Sequence, residues 1–366
     1  MHTEPAGPSL VVLAPASHRG GAELVLKRLV LSAVGQGWQV RCLCPTGPLV
    51  EDLLAAGVTT VTIPHLGLPA GPRALAALRL GIRSLRVAVA LFRARAGTDR
   101  ILVNGLLGLP AVALARPRAP VVLLIHEVVR RPDRVRLIRR LGGVVARAIT
   151  ISDAAAEALA GAGLEARVVP NGTPWPIEPS PAPAPYPPVF GCVAALTPGK
   201  GQHVLLEALS RMDSPDVVVE LVGEALPKDH GYVAALHSQA DAAGLAHRVR
   251  FVGHLAAPLE RVRRWTAAVT ASTEPEGVGL SVLEAMSVGV PVVCADHGGT
   301  PEVLGGAGLL VPPGDATALA EALSRLITDN RLRSRCAEAG RARVAQRYAL
   351  SDRVAELLQA VAEPLP

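Results

Sequence analysis

Lysine is almost missing from this chain: Lys27, Lys200 and Lys228 are the only three in 366 residues, and arginine carries the rest of the positive charge. Cysteine is sparse as well. Cys42, Cys44, Cys192, Cys294 and Cys336 are odd in number and form no CxxC pair, which argues against a structural zinc site and for a reducing, cytoplasmic compartment. Half of the residues are hydrophobic, yet no uninterrupted apolar run approaches the roughly 18 residues of a membrane span, so no transmembrane helix is expected. The start, MHTEPAGPSL, has no basic stretch followed by an apolar one, so no signal peptide is expected. Neither GxGxxG nor GK[ST] follows the first strand, which disfavours a dinucleotide fold and a P-loop.

What is present centres on Thr273–Glu284, TEPEGVGLSVLE. Glu276 is followed by the turn Gly277-Val278-Gly279, and an apolar helical run from Leu280 carries Glu284. Glycine lets the backbone approach a ligand closely. A helix starting near Leu280 points unpaired N–H groups and its positive dipole end at the same place. Two carboxylates flanking an anion site suit a sugar nucleotide, with hydroxyls for the carboxylates and a diphosphate for the helix end. The plainer alternative is a helix with an acidic start and an exposed glutamate.

Taken in order, the chain alternates strand and helix twice. Ser9–Pro15 reads as a buried strand, followed by Gly20-Gly21 and a helix over 24–34. That turn is either a phosphate cradle or a plain tight turn. Further strands are expected at 39–44, 58–63, 101–103, 121–125, 148–151 and 167–169. His126-Glu127 directly follows the strand at 121–125, at the sheet edge where open parallel sheets bind ligands. Residues 173–188 are proline-dense and read as a stiff linker. The pattern then restarts, with strands at 189–194, 217–222, 249–252, 267–271, 291–295 and 309–311 and helices between them. Lys200 sits in the loop TPGKGQ after the first of these. Two such runs imply an α/β protein with two parallel-sheet domains: 1–172, then 189–345 beyond the linker, with a closing helix in 346–366.

Charge is uneven. Residues 1–172 hold 21 Lys+Arg against 10 Asp+Glu, a surplus of +11, while 173–366 hold 16 against 21, or −5. Two segments concentrate the arginines. Over 73–96, Leu75, Leu78, Ile82, Leu85, Val89 and Phe92 recur by threes and fours, with Arg79, Arg83, Arg86 and Arg93 beside them. The periodicity predicts a core-facing helix with a solvated basic edge; the alternative is a membrane-surface helix. RRPDRVRLIRR at 130–140 reads as a solvated loop and helix or as a patch for an anionic lipid surface or a phosphorylated acceptor.

In this order and spacing, GGAE (20–23), HE (126–127), PNG (170–172), LTPGKG (196–201), RFVGHL (250–255), EGVGLSVLEAM (276–286), SVGVPVV (287–293) and GGTPE (298–302) resemble the retaining glycosyltransferases of family 4. The resemblance covers nearly the whole chain and implies the GT-B fold. That is two Rossmann-like domains facing across a cleft, with the C-terminal helix returning to the N-terminal domain.

By that resemblance the second domain binds a nucleoside-diphosphate sugar. Glu276 would hold the donor sugar, Glu284 the ribose, and Lys200 the diphosphate together with the N–H groups of Gly279, Leu280 and Ser281. Gly20 and Gly21 would lie nearby, and His126 beside the anomeric carbon. Arg19, Asn104, Glu127, Gly298 and Gly299 are secondary candidates. No metal or cofactor is implied. The acceptor would be a glycan, lipid or small molecule of cell-envelope or polysaccharide biosynthesis, not nucleic acid, handled in the cytoplasm or at the inner membrane face. One departure stands out. The family usually carries arginine in a G-R-L sequence before the lysine, and here Ala195 takes its place. That keeps open a non-catalytic, sugar-nucleotide-binding subunit as the alternative.

Overall fold

The computed structural model describes residues 7–18, 20–67, 73–94, 97–180, 186–226 and 229–364. The chain divides into two compact units, 1–171 with 352–366 and 172–351.

In the first unit, β1 (Ser9–Leu13), β2 (Gln39–Cys44), β3 (Thr59–Thr62), β4 (Arg100–Asn104), β5 (Val121–Ile125), β6 (Arg147–Thr150) and β7 (Ala166–Val168) form one sheet. Its order is β3-β2-β1-β4-β5-β6-β7, with all pairings parallel. Helices α1 (Gly21–Gly35), α2 (Pro48–Ala55), α3 (Arg73–Ala94), α4 (Leu109–Ala115), α5 (Pro132–Leu141) and α6 (Asp153–Ala160) connect the strands. Helices cover both faces of such a sheet, so its central strands need apolar residues at every position rather than at alternate ones. β5, VVLLI, is buried throughout. Ser152 starts α6 as expected of a cap, its hydroxyl accepting from the Ala155 N–H at 3.3 Å.

The second unit repeats the plan. Its strands β8 (Val189–Val193), β9 (Val218–Val222), β10 (Val249–Gly253), β11 (Ala267–Thr270), β12 (Val292–Ala295) and β13 (Leu309–Val311) run in the order β10-β9-β8-β11-β12-β13. The helices are α7 (Gln202–Arg211), α8 (His230–Ala242), α9 (Leu259–Val262), α10 (Leu280–Ser287), α11 (Thr300–Leu304), α12 (Ala316–Thr328), α13 (Asn330–Arg347) and α14 (Leu350–Ala362). From Asp352 onward α14 belongs to the first unit. There Arg147 Nη1 donates to the Ala360 carbonyl at 2.7 Å and Arg167 Nη1 meets the Glu363 carboxylate at 2.7 Å.

One expectation needs correcting. The stripe on α3 does not face the core: exposure over its six large residues runs from 41% at Leu75 to 61% at Leu78. The buried face is Ser84, Val87, Ala88, Leu91 and Ala94. These residues are smaller on average, so the helix axis can lie close to α4 and the sheet, and the larger stripe is left outside.

The described part of the proline-dense segment is anchored along its length. Thr173 N–H donates to the Tyr348 carbonyl and Ser180 N–H to that of Val288. The Arg341 guanidinium lies over the Trp175 ring at 4.7 Å and donates to the Ile177 carbonyl. Residues 173–180 are thus strapped to the second unit.

One buried carboxylate ties that unit together. Glu220 of β9, with a side chain 7% exposed, accepts from Arg261 Nε at 2.7 Å, Arg261 Nη2 at 2.9 Å and Trp265 Nε1 at 2.9 Å. Removing it strands the indole N–H and a guanidinium together. We expect Glu220→Ala to lower unfolding free energy by about 2–4 kcal/mol in urea titrations. A loss below about 1 kcal/mol would show that the network does not hold the sheet to α9.

Candidate functional site

Both sheets reverse their strand order at one point, between β1 and β4 in the first unit and between β8 and β11 in the second. Loops leaving the carboxyl ends of such strands diverge to opposite faces and open a crevice. The sequence-derived candidates fall at these points.

In the second unit, the loop after β8 carries Lys200 and the loop after β11 carries Glu276. The loops are joined directly, since Thr273 N–H donates to the Gly199 carbonyl at 3.0 Å. Gly201 turns with φ +69°, and a Cβ there would come within 1.8 Å of the Ala271 carbonyl oxygen, so the approach requires glycine. Gln202 braces the turn from within, its amide nitrogen donating to the Ala195 carbonyl at 3.0 Å. Lys200 Nζ consequently lies 2.6 Å from Glu276 Oε2. The other carboxylate oxygen accepts from the Ser272 hydroxyl.

The loop after β12 completes the enclosure. Gly299 N–H donates to the Glu276 carbonyl at 2.8 Å, and His297 Nε2 lies 2.7 Å from the Ser272 carbonyl oxygen, to which it donates. Gly298, at φ +60°, lies so close that a Cβ would stand 2.2 Å from the Glu276 carbonyl oxygen. Gly298 and Gly299 therefore position Glu276 through the backbone.

Gly279 caps α10, and a Cβ built on it would stand 3.9 Å from Glu276 Oε2. The carboxylate is thus beside the helix start. The N–H groups of Val282 and Leu283 turn to the Gly279 carbonyl. Those of Leu280 and Ser281, in the first turn, have no intrahelical acceptor. Glu284 sits half-buried on the same helix.

In the first unit, Asn104 ends β4 and His126 follows β5. His126 Nε2 and Asn104 Oδ1 are 2.8 Å apart. An amide oxygen only accepts, so Nε2 carries the proton and Nδ1 of the neutral ring is a bare acceptor. Nδ1 is buried without a partner. Burial brings the imidazole pKa down to about 4, so the ring is neutral at physiological pH. Glu127 is ion-paired with Arg134 and is engaged in holding α5.

Gly20 is the N-cap of α1 and Gly21 its first residue, with no side-chain cap from Gly20. The Glu23 carboxylate bends back and accepts from the backbone N–H groups of Glu23 and Gly20, while burial raises its pKa. An anion using the Gly20 N–H has to displace Glu23. Arg19 lies outside the described residues.

Ser272 and His297 were not singled out from the sequence. Neither belongs to a spaced motif: Ser272 reaches Glu276 from four residues earlier in the same loop, and His297 reaches the Ser272 carbonyl from the loop after β12. The thiols offer no nucleophile: burial pushes Cys192 and Cys294 up to about 12. Among the described residues no group of three or more His, Cys, Asp or Glu side chains is arranged to hold a metal ion. A cavity of about 350 Å³ opens at the opposite edge of the first sheet, at the strand amino ends around Ser9, Gln39 and Thr59, away from these loops.

Two doubly wound parallel sheets, each with its polar residues at the strand-order reversal, make this a GT-B protein. Residues 176–343 match the family model described as glycosyl transferases group 1, and residues 19–174 that described as glycosyltransferase family 4. The chain belongs to this glycosyltransferase family. Over 354 residues it is 30% identical to the phosphatidyl-myo-inositol mannosyltransferase of Mycobacterium leprae, spanning 90% of this chain and 89% of that one. It is 33% identical over 179 residues to the lipopolysaccharide core biosynthesis glycosyltransferase LpsE of Rhizobium meliloti. That match spans about half of each protein, 47% of this chain and 49% of the relative. The crystal structure of Anabaena HepE in complex with UDP-glucose superposes with a TM-score of 0.79 at 25% identity, covering 96% of this chain and 99% of that one.

His126 gives a pH signature. An unfolded histidine takes up a proton below about pH 6.5, whereas this one stays neutral down to about 4. Between those values the unfolded state binds more protons, so stability falls as pH falls. We expect His126→Asn to remove about 2 kcal/mol of the acid-dependent loss between about pH 6.5 and pH 5, read as the difference in urea unfolding free energies. Identical pH slopes for variant and parent would show that the ring protonates freely in the fold.

Proposed function

We propose that this chain is a retaining, metal-independent glycosyltransferase that moves a hexosyl unit from a nucleoside-diphosphate sugar to a lipid-linked or other cell-envelope acceptor at the cytoplasmic membrane face. The observation that carries the reading is the Lys200–Glu276 pair beside the first turn of α10. Without ligand the two charges satisfy each other. A diphosphate draws the ammonium to itself and takes further hydrogen bonds from the N–H groups of Leu280 and Ser281. Glu276, still held by Ser272, is then free to accept from hydroxyls of the sugar, and Glu284 from those of the ribose. The diphosphate leaves with increasing negative charge, so donors already aimed at it lower the barrier to departure.

The relatives support the lipid or envelope acceptor, since they include a phosphatidyl-myo-inositol mannosyltransferase and a lipopolysaccharide core enzyme. They also set the donors to compare: a relative from Mycolicibacterium smegmatis, 32% identical over 166 residues and matched over 42% of each chain, is named as GDP-mannose-dependent, and HepE was crystallised with UDP-glucose. Ala195 favours a second reading, a subunit that binds donor without turnover. Its methyl brings no cation and its carbonyl is engaged by Gln202.

Lys200→Ala should weaken nucleoside-diphosphate binding by roughly 10–100-fold in calorimetry while leaving the bare nucleoside nearly unaffected, a loss of about 1.4–2.8 kcal/mol. Equal losses for both ligands would refute the diphosphate role. Glu276→Ala should stay folded and lose transfer by more than about a hundredfold. Parental turnover in that variant would sink the site assignment. Donor binding with no turnover on any envelope lipid fraction would favour the subunit reading.

A further inference from the structure

We propose that His297 is a positioning residue for sugar recognition: through the Ser272 carbonyl it holds Ser272 in place, and Ser272 holds the Glu276 carboxylate once Lys200 has turned to the diphosphate. The inference rests on the donor reading above and extends it to a residue outside the sequence motifs. His297 stands one position before GGTPE. Its backbone is fixed by its own turn, since its N–H donates to the Ala295 carbonyl at 3.0 Å and its carbonyl accepts from the Thr300 N–H at 3.3 Å. From that turn two groups reach one segment. His297 Nε2 donates to the Ser272 carbonyl at 2.7 Å, and the Gly299 N–H donates to the Glu276 carbonyl at 2.8 Å. The segment from Ser272 to Glu276 is therefore gripped at both ends by residues 297–299. The second grip uses only backbone, whereas the first needs a side chain with a donor where imidazole Nε2 stands.

Two partners hold the Glu276 carboxylate, Lys200 Nζ on Oε2 and the Ser272 hydroxyl on Oε1. They are not equivalent. A diphosphate draws the ammonium away, and the hydroxyl stays. The carboxylate then keeps one anchor within the chain, and its aim at a sugar hydroxyl depends on Ser272 and on the bond behind it. Ser272 is 1% exposed, so its hydroxyl lies where its backbone puts it. A group that meets substrate is only as well placed as the residues that lock it, and a small misplacement is expensive in recognition. The ring of His297 also carries a cost: Nδ1 is buried with no partner, which an apolar side chain would avoid. That cost is consistent with a ring kept for the donor on its other nitrogen. The diphosphate contacts come from Lys200 and the first turn of α10, so His297 acts on the sugar and not on the phosphates.

The test measures two affinities of the full chain by calorimetry, one for a nucleoside diphosphate and one for its hexose conjugate. The pairs are GDP with GDP-mannose and UDP with UDP-glucose, and the ratio within a pair isolates the sugar. His297→Leu should shift that ratio against the sugar nucleotide by about tenfold or more, while the diphosphate alone binds within about threefold of the parent. His297→Gln, whose amide nitrogen can take the place of Nε2, should restore the parental ratio. His297→Asn, whose shorter amide reaches only the place of Nδ1, should not. Thermal melts check each fold, and if the Leu variant melts early the comparison of Gln with Asn decides. Equal weakening of both ligands in His297→Leu would make the residue structural and overturn the proposal, as would a Gln variant that behaves like Asn. A parental ratio in His297→Leu, with Glu276→Ala shifting it, would overturn the proposal and leave the donor reading standing. A parent chain that binds neither pair would overturn both.

Discussion

The contact between Lys200 and Glu276 makes one demand on the second unit: loops from two neighbouring strands must meet at one point. Parallel strands β8 and β11 supply the proximity, because the order reversal puts them side by side although 73 residues of chain separate Val193 from Ala267. Glycine supplies the last few ångströms. Gly201 lies against the Ala271 carbonyl and Gly298 against that of Glu276, each closer than any side chain would permit. The ion pair is therefore a product of backbone geometry more than of attraction between two long side chains, which in a half-exposed setting is worth little alone. That is what makes it suitable for a site: the geometry survives when a ligand separates the charges.

The first unit solves a different problem with the same sheet. Asn104 and His126 also follow adjacent strands, and their contact fixes a tautomer instead of neutralising a charge. The ring is held neutral and one acceptor is left over. Glu23 shows the complementary device, a carboxylate bonded to the N–H groups that an anionic ligand would use. Glu23, Lys200 and Glu276 are thus each held by partners within the chain, whereas His126 keeps a buried acceptor unpaired.

The sequence carried these features unequally. β2 and β13 are found over the very residues expected, because an apolar run closed by turn residues has few other solutions in a covered parallel sheet. Lys200, Glu276 and the start of α10 were legible because glycine punctuates the chain where backbones must touch. Ser272 and His297 were not, because a serine four residues before a glutamate has no distinctive spacing, and His297 joins it from another loop only through a backbone carbonyl. α13 escaped notice for another reason. Its 18 residues, NRLRSRCAEAGRARVAQR, have no concentrated apolar face; of its buried positions, Leu332 and Cys336 join the unit's core cluster and Gly340 lies against Met286 of α10.

α3 shows where periodicity stops being informative. A stripe at helical spacing establishes that a helix has an apolar side, and the usual inference is that this side is buried. The inference fails when a second apolar side made of smaller residues competes for the core. Alanine and valine let a helix approach its neighbours more closely than leucine and phenylalanine do, and close approach recovers more dispersion contact per residue. The smaller face wins, and the larger one is left outside. Each of these side chains, left about half exposed, forgoes on the order of half of the roughly 1.5–3 kcal/mol that full burial is worth. Helical spacing therefore establishes that α3 has apolar residues on one side, and the choice between two apolar sides is made by the neighbours the helix packs against.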